Sequence, residues 1–546
     1  MPLKKIRILI VDNDNDFLTM LEKLLLAYID NILITKASSP EESLEHIDNG
    51  YFNLAIVDKR LIQDSDPGDE SGIELVGKIA KIHPGIKIIM LTSFTNYKDV
   101  TKKLPDADEF GEPILCGYLS KKEESPKEWC AKIAEVIKND IRITLDSEIN
   151  LVGFRFKELN GLLVRIKIKD KVIEAKDTEV LDNLAIQLSD LLSKIYYKKG
   201  EITLLPLSQG YSGAGVVAIE RDQNLPEIFK FGDRERIEKE YRNYKEHVGE
   251  KISARTYIDE GKFARTKDLG GIAYSLIGAD LGNIKDFGDY FKENDSNQIK
   301  EFLSNFFSEN CGIWYKRVQA EKPVDPKETY EKYLNLKASR LEESIRTHLP
   351  EFYDERKIDL PDFGLSFENP YFAFTNANFK PFKIRICRTH GDLNPRNILV
   401  DKDRGWLIDF FSVGFSHALR DFIKLETSVK FELTSIKNLA AHVHLEKNLL
   451  EPGSFKAEYG FRNYDDDPSL EKSFECIKHI RWLAYDLIGP KDIWEYYIGL
   501  FFTTLKHLEF DDVPGLSRKF AFISAGLILE KLKKQKLAIT TTGEDR

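Results

Sequence analysis

An α/β fold with a doubly wound, five-stranded parallel sheet is what the first quarter of this 546-residue sequence predicts, followed by an α+β part that ends in helices. Three observations lead there. From Lys4 to about Asn139, short apolar runs alternate with amphipathic segments. Reactive polar residues stand at the carboxyl ends of several of those runs. Near residue 400 two short apolar runs flank a turn, and beyond Ser428 the apolar spacing is helical.

The elements follow in order. Ile6–Val11 reads as a buried strand, and Phe17, Leu18, Leu21, Leu24 and Leu25 share one face of the next helix. Then come Ile32–Thr35, a helix near Pro40–Asn49, Leu54–Val57, a helix near Gly72–Ile82, Lys87–Leu91 and Gly117–Leu119, with a last helix from about Pro126 to Lys138. Strands alternating with helices build a parallel sheet, which places its chemistry at the carboxyl ends of the strands. Those ends carry Asp12-Asn13-Asp14, Asp58, Thr92 and Lys121. Oxygen ligands from Asp12, Asn13 and Asp58 suit a magnesium ion. With its charge offset, Asp58 can take a phosphoryl group as an aspartyl phosphate, whose oxygens Thr92 and Lys121 would hydrogen-bond. A single acid after a strand is as often a helix cap. Suitable residue types at four strand ends outweigh that reading.

The runs Ile8-Leu9-Ile10-Val11-Asp12-Asn13-Asp14, Val57-Asp58-Lys59-Arg60-Leu61, Leu91-Thr92-Ser93 and Tyr118-Leu119-Ser120-Lys121 resemble a response-regulator receiver domain over residues 1–140. The resemblance implies a flavodoxin-like fold, phosphorylation at Asp58, and a histidine kinase or small phosphodonor upstream. Two departures stand out. Asn13 occupies a place where receivers usually carry a second metal-binding acid, so weaker magnesium binding is expected. The stretch around Leu104–Ile114 is lengthened, which bears on the usual output and dimerisation face.

Residues 141–200 read as a connecting region without a catalytic cluster. Leu162–Ile168 alternates weakly like a strand, and Leu184, Leu188, Leu191, Leu192 and Ile195 lie at helical spacing within Leu181–Tyr197. A homodimer through this region or the receiver is a further expectation.

The second chemical centre is His390-Gly391-Asp392-Leu393-Asn394-Pro395-Arg396-Asn397, followed by Trp406-Leu407-Ile408-Asp409. Phosphoryl transfer from a nucleotide needs a carboxylate beside the attacking hydroxyl and oxygen ligands for magnesium. Strands at Ile398–Val400 and Trp406–Ile408 around Asp403-Arg404-Gly405 form a hairpin that would bring Asn397 to Asp409. This set resembles the kinase-fold small-molecule phosphotransferases of the aminoglycoside- and choline-kinase type. The resemblance implies a two-lobed, protein-kinase-like domain, with an N-lobe over residues 201–280 and a C-lobe with helical insertions over 281–546. Carried over, Asp392 is the catalytic base, Asn397 and Asp409 are magnesium ligands, and His390 supports the loop. Upstream, Gly210, Ser212, Gly213 and Gly215 form a Gly-rich turn that would cover phosphates. Lys230 would reach the phosphates, paired with Glu240 or, as the alternative, Glu238. Leu276 and Ile277 mark a hinge that would meet the base of ATP, with GTP not excluded. After Asp409 the acid that such enzymes often carry is missing. Asp421 is placed to anchor the catalytic loop, and His417 is expected to pack locally.

The bulk numbers set bounds. Hydrophobic residues make up 42% and charged residues 31%, with a net charge of −10. That balance argues against a general nucleic-acid or membrane-surface binder. Ile493–Leu505, the longest late apolar stretch, is broken by Glu495 and is short for a bilayer span. Five scattered cysteines show no pairing or zinc spacing, as expected of reduced, buried thiols in a cytoplasmic protein. The whole reads as a phosphorelay response regulator with a phosphotransferase-like output acting on an unknown acceptor. The alternative is a non-catalytic, nucleotide-binding pseudokinase scaffold.

Overall fold

The computed structural model describes residues 5–540 except 63–67, 94–103, 144–147, 198–199, 208–212, 221–226, 250–255, 260, 281, 462–466 and 490–491. The chain divides into two compact units, Met1–Tyr241 with Tyr257–Ile277, and Arg242–Thr256 with Gly278–Arg546.

The first unit opens with five parallel strands: β1 (Ile6–Val11), β2 (Ile32–Ala37), β3 (Leu54–Val57), β4 (Lys87–Thr92) and β5 (Gly117–Ser120). Their spatial order is β2-β1-β3-β4-β5. Helices α1 (Asn15–Tyr28) and α4 (Pro126–Val136) cover one face, and α2 (Pro40–Asn49) and α3 (Ser71–Ile82) the other. Burial on both faces explains the unbroken apolar runs. Of the helix-1 residues expected on one face, Leu18, Leu21 and Leu25 are buried, while Phe17 and Leu24 pack at the margin. Each fully buried side chain of this size contributes about 1.5–3 kcal/mol. Strands β1 and β3 pair in parallel with Val11 opposite Val57, so the next residues, Asp12 and Asp58, leave the sheet side by side. Asp14 caps α1, accepting from the Asp16 and Phe17 backbone amides, and so takes the ordinary role of an acid after a strand.

Residues 148–241 and 257–276 build a second sheet in the same unit. Glu148–Leu151, Glu201–Pro206, Gly215–Glu220, Glu227–Asp233 and Leu269–Leu276 lie side by side in that order. The first pair is parallel and the others antiparallel. Helix α5 (Thr178–Ile195) packs on this sheet, and Leu184, Leu188, Leu191 and Leu192 share a core with Val217, Phe229 and Phe231. The stretch expected as a connecting region therefore supplies an edge strand and a covering helix. Its expected strand at Leu162–Ile168 is instead a short helix, Asn160–Leu163, and a two-residue strand, Lys167–Ile168. Arg165, at φ 74°, breaks the extended path between them.

In the second unit the hairpin Ile398–Asp401 and Arg404–Leu407 forms as expected, and Phe382–Thr389 pairs with Gly414–His417. Long helices follow at Pro468–Ile488, Ile493–Leu508 and Gly515–Lys534. A short strand, Ala538–Thr540, pairs with Ala377–Phe379. Among the described residues no helix is long and apolar enough to cross a membrane. Four of the five cysteines are buried and Cys116 is half-buried.

Candidate functional site

At the carboxyl edge of the first sheet, Asp12, Asp58 and Thr92 are all buried. Lys121 Nζ lies 2.5 Å from Asp12 Oδ2 and 3.3 Å from Asp58 Oδ2. Its ammonium also rests over the Phe17 ring, 4.0 Å from the centroid. Asp58 Oδ1 accepts the Lys59 backbone amide at 2.8 Å, and the Thr92 side chain hydrogen-bonds the same carboxylate. The site is held close by Gly72, the second residue of α3. A Cβ there would stand 1.9 Å from the Asp58 carbonyl oxygen.

Burial pushes the Asp12 carboxyl up to about 6, against the lowering pull of Lys121. Asp58 is raised for the same first reason. Two buried carboxylates sharing one ammonium leave negative charge uncompensated whenever both ionise. The buried Oδ1 of Asn13 also has no hydrogen-bond partner among the described residues. Both observations fit a divalent cation bound through oxygen.

In the second sheet Lys230 sits between the fully buried Phe229 and Phe231. Its Nζ lies 2.8 Å from Glu240 Oε2, and the Tyr274 hydroxyl also donates to Glu240. Glu240 belongs to helix α6 (Arg234–Asn243). Glu238, the alternative partner, instead meets Arg265 at 3.2 Å. Gly215 stands opposite Phe231, whose ring would be 2.2 Å from a Cβ, and Gly213 has φ 71°. Gly210 and Ser212 lie outside the described residues. Leu276 is buried at the end of its strand, and Ile277 is 49% exposed. One of the three places where the chain passes between the two units falls just after Ile277.

In the second unit Asp421 holds the loop at His390. Its Oδ2 accepts the His390 amide at 2.7 Å and its Oδ1 the Gly391 amide at 2.8 Å. The Tyr315 hydroxyl donates to the same carboxylate at 2.8 Å. Gly391 has φ 82°, and a Cβ there would lie 2.3 Å from the Ser412 carbonyl oxygen. So braced, the loop leaves the Asp392 side chain 47% exposed. Asn397 is buried and donates through Nδ2 to the Asp392 carbonyl at 2.8 Å. Ile408 donates its amide to the Asn397 carbonyl at 3.1 Å, so Asp409 comes one residue after the position paired with Asn397. Asp409 itself takes the left-handed conformation, φ 66°. His390 lends support, its Nε2 lying 3.0 Å from the Ile408 carbonyl oxygen. His417 is fully buried, between Tyr330 at 2.5 Å and Glu495 at 2.8 Å. One residue escaped sequence reasoning: Lys424, whose Nζ lies 3.8 Å from Asp392 Oδ1. It follows Asp421 by three positions on one helix, Arg420–Ser428, and that spacing was the available signal.

Comparison with known proteins adds family membership. Residues 8–122 match the response regulator receiver domain. Residues 201–363 and 346–508 match ternary complex associated domain 9, together more than half of the chain. A CheY-like receiver domain protein from Methanospirillum hungatei is 30% identical, covering 25% of this chain and 95% of its own, with a TM-score of 0.20. A Thermotoga maritima response regulator, solved with magnesium and beryllofluoride, is 26% identical over 24% of this chain and 98% of its own, at a TM-score of 0.19. One from Clostridium difficile is 22% identical over 25% of this chain and 98% of its own, at 0.20. No curated protein matches the chain. A receiver domain marks a phosphorelay response regulator and implies a phosphodonor such as a histidine kinase. The chain belongs to the ternary complex associated domain 9 family and carries a response-regulator receiver domain at its N-terminal end.

Proposed function

We propose that this response regulator is cytoplasmic and takes a phosphoryl group at Asp58, and that its output is an ATP- and magnesium-dependent, kinase-like phosphotransferase domain. The observation that carries the reading is the loop at His390, where two backbone amides bonded to Asp421 hold Asp392 outward beside a buried Asn397. A general base needs that combination of a fixed backbone and an accessible carboxylate. The Lys230–Glu240 pair supports it, since a buried ion pair fixes where a phosphate-binding lysine points.

At the receiver, an Asp58 oxygen forms the bond to phosphorus as the bond to the donor's leaving group breaks. Lys121 and Thr92 then donate to the phosphoryl oxygens. Magnesium bound by Asp12, Asn13 and Asp58 would neutralise charge during that transfer. In the output domain the acceptor hydroxyl passes its proton to Asp392 while its oxygen bonds the γ-phosphorus and the β–γ bridge opens. Lys230 would hold the phosphates, and Asn397 and Asp409 would hold a magnesium ion that offsets the phosphate charge.

Calorimetry with ATP and magnesium on the full chain tests the reading, beside Lys230→Met and Asp392→Asn. The reading expects magnesium-dependent binding lost at least tenfold in Lys230→Met, and ATP turnover lost in Asp392→Asn with binding kept. Binding without turnover in the parent chain, across protein and small-molecule acceptors, would favour the pseudokinase scaffold. Absence of nucleotide binding would overturn both.

A further inference from the structure

The lengthened segment between β4 and β5 has no part in the chemistry above, yet it meets the second sheet of the same unit. Its turn is built on Asp108. Asp108 Oδ1 accepts the Phe110 amide at 2.8 Å and the Glu112 amide at 3.1 Å, and Ala107 bridges Pro113. Glu112 is tied back to Lys87 at the start of β4. The other oxygen of Asp108 binds Arg265, whose guanidinium stacks over the Phe110 ring at 4.7 Å. Phe110 also packs against Phe263 and Tyr241, 5.2 and 6.4 Å between centroids.

Arg265 is buried and serves two carboxylates, Asp108 through Nη2 and Glu238 through Nη1. Glu238 lies on α6, two positions before Glu240, the partner of Lys230. Residues 104–116 lead back into the first sheet through β5 (Gly117–Ser120), and β5 is followed directly by Lys121, which with Thr92 would grip a phosphoryl group on Asp58. A shift of Lys121 toward that group therefore acts, through β5, on residues 104–116, the part that holds Arg265. Contacts that flank the clamp hold the same two parts together. Arg234 Nη1 meets the Ile82 carbonyl at 3.2 Å, Lys267 Nζ meets the Gly50 carbonyl at 3.1 Å, and Asn53 Nδ2 donates to buried Asp190 at 2.8 Å.

We propose that the Asp108–Arg265–Glu238 relay on this inserted segment carries the state of Asp58 to helix α6, and with it to the Lys230–Glu240 pair. The inference rests on the reading of Asp58 as the phosphoacceptor, and not on catalysis by the output domain. Loosening of Asp108 frees Arg265 to bond Glu238 alone, and α6 shifts its balance between Arg265 and Lys230. Coupling needs an element with two arrangements that both sites bias, and Arg265, shared between Asp108 and Glu238, is that element.

Hydrogen exchange on the full chain, with and without beryllofluoride and magnesium, tests it in the parent chain, Asp108→Asn and Phe110→Ala. Asp108→Asn keeps an oxygen for the turn and removes the charge facing Arg265. Beryllofluoride is expected to change exchange of the amides in 234–243 at least threefold in the parent chain. In both variants that change disappears while helix α1 still responds. An equal response of 234–243 in the variants would overturn the relay. So would a parent chain in which α1 responds and 234–243 does not. If nothing responds anywhere, the reading of Asp58 fails and the relay with it; nucleotide binding, measured separately, decides the fate of the output reading.

Discussion

Asn13 is the residue on which the receiver's chemistry turns. Its side chain brings a carbonyl oxygen but no charge, next to two buried carboxylates that share a single ammonium. Asn13→Asp is expected to tighten magnesium binding about tenfold, since charge count on oxygen ligands sets affinity for hard cations. Titration calorimetry measures it. The same site fixes a pH dependence. Burial raises Asp12 to about 6, so the carboxylate that would hold the metal is protonated below that pH. Magnesium affinity should fall up to about tenfold per pH unit below about 6, and level off above it, as expected for a ligand that must lose a proton. Affinity that stays constant from pH 7 to pH 5 would show that Asp12 is not a metal ligand with a raised pKa.

Among the elements, the loop at His390 has the most specific geometry. Asp421→Ala removes the acceptor of two amides and a tyrosine hydroxyl in a fully buried place. Leaving buried donors unpaired costs about 1–3 kcal/mol each, so the second unit should lose at least about 3 kcal/mol of stability by denaturant titration. Gly391→Ala should cost about 2 kcal/mol or more, from a positive φ and a Cβ driven against the Ser412 carbonyl. Unchanged unfolding midpoints in both variants would show that the loop is not braced as described.

Much at this scale was legible in the sequence. The central receiver strands β1, β3 and β4 read as unbroken apolar runs because the sheet is covered there on both faces. Asp421 was readable as a loop anchor because an acid opens a helix close after the metal-ligand position. Leu162–Ile168 was not legible. Its alternation arises from a helix end and a left-handed Arg165, not from pleating. The Asp108–Arg265 contact was equally hidden, since the partners lie more than 150 positions apart and surface charge alone does not name a partner. Gln187 and Asp190, interrupting the apolar stripe Leu184–Ile195, were visible signs that this helix makes polar buried contacts.

For the whole molecule, three histidines that resist protonation, buried His83 and His507 and half-buried His479, shape the response to acid. Burial pushes His83 and His507 to about 3 and His479 to about 4. Each is neutral in the folded chain while its unfolded counterpart takes up a proton near pH 6.5. Below that pH the unfolded state binds more protons, so stability falls with falling pH, by up to about 1.4 kcal/mol per unit for each such histidine. The loss runs from about 6.5 down to the folded values. Asp12 works the other way over part of that window, since its raised folded value favours the folded state as pH drops from 6 toward 3.8. Thermal unfolding between pH 7.5 and 5 should show a falling midpoint, and His83→Phe, which keeps the stacking on Tyr51, should flatten the slope. A slope unchanged by His83→Phe would mean that the ring is not buried neutral.

The gating of output by the receiver is tested most directly by ATP turnover of the full chain with and without acetyl phosphate, in the parent, Asp58→Asn and Asp392→Asn. The expected result is a rate that acetyl phosphate changes severalfold in the parent. In Asp58→Asn the rate stays insensitive to it, and in Asp392→Asn there is no turnover. A parent rate indifferent to acetyl phosphate, with Asp58 shown by mass to be phosphorylated, would contradict the account.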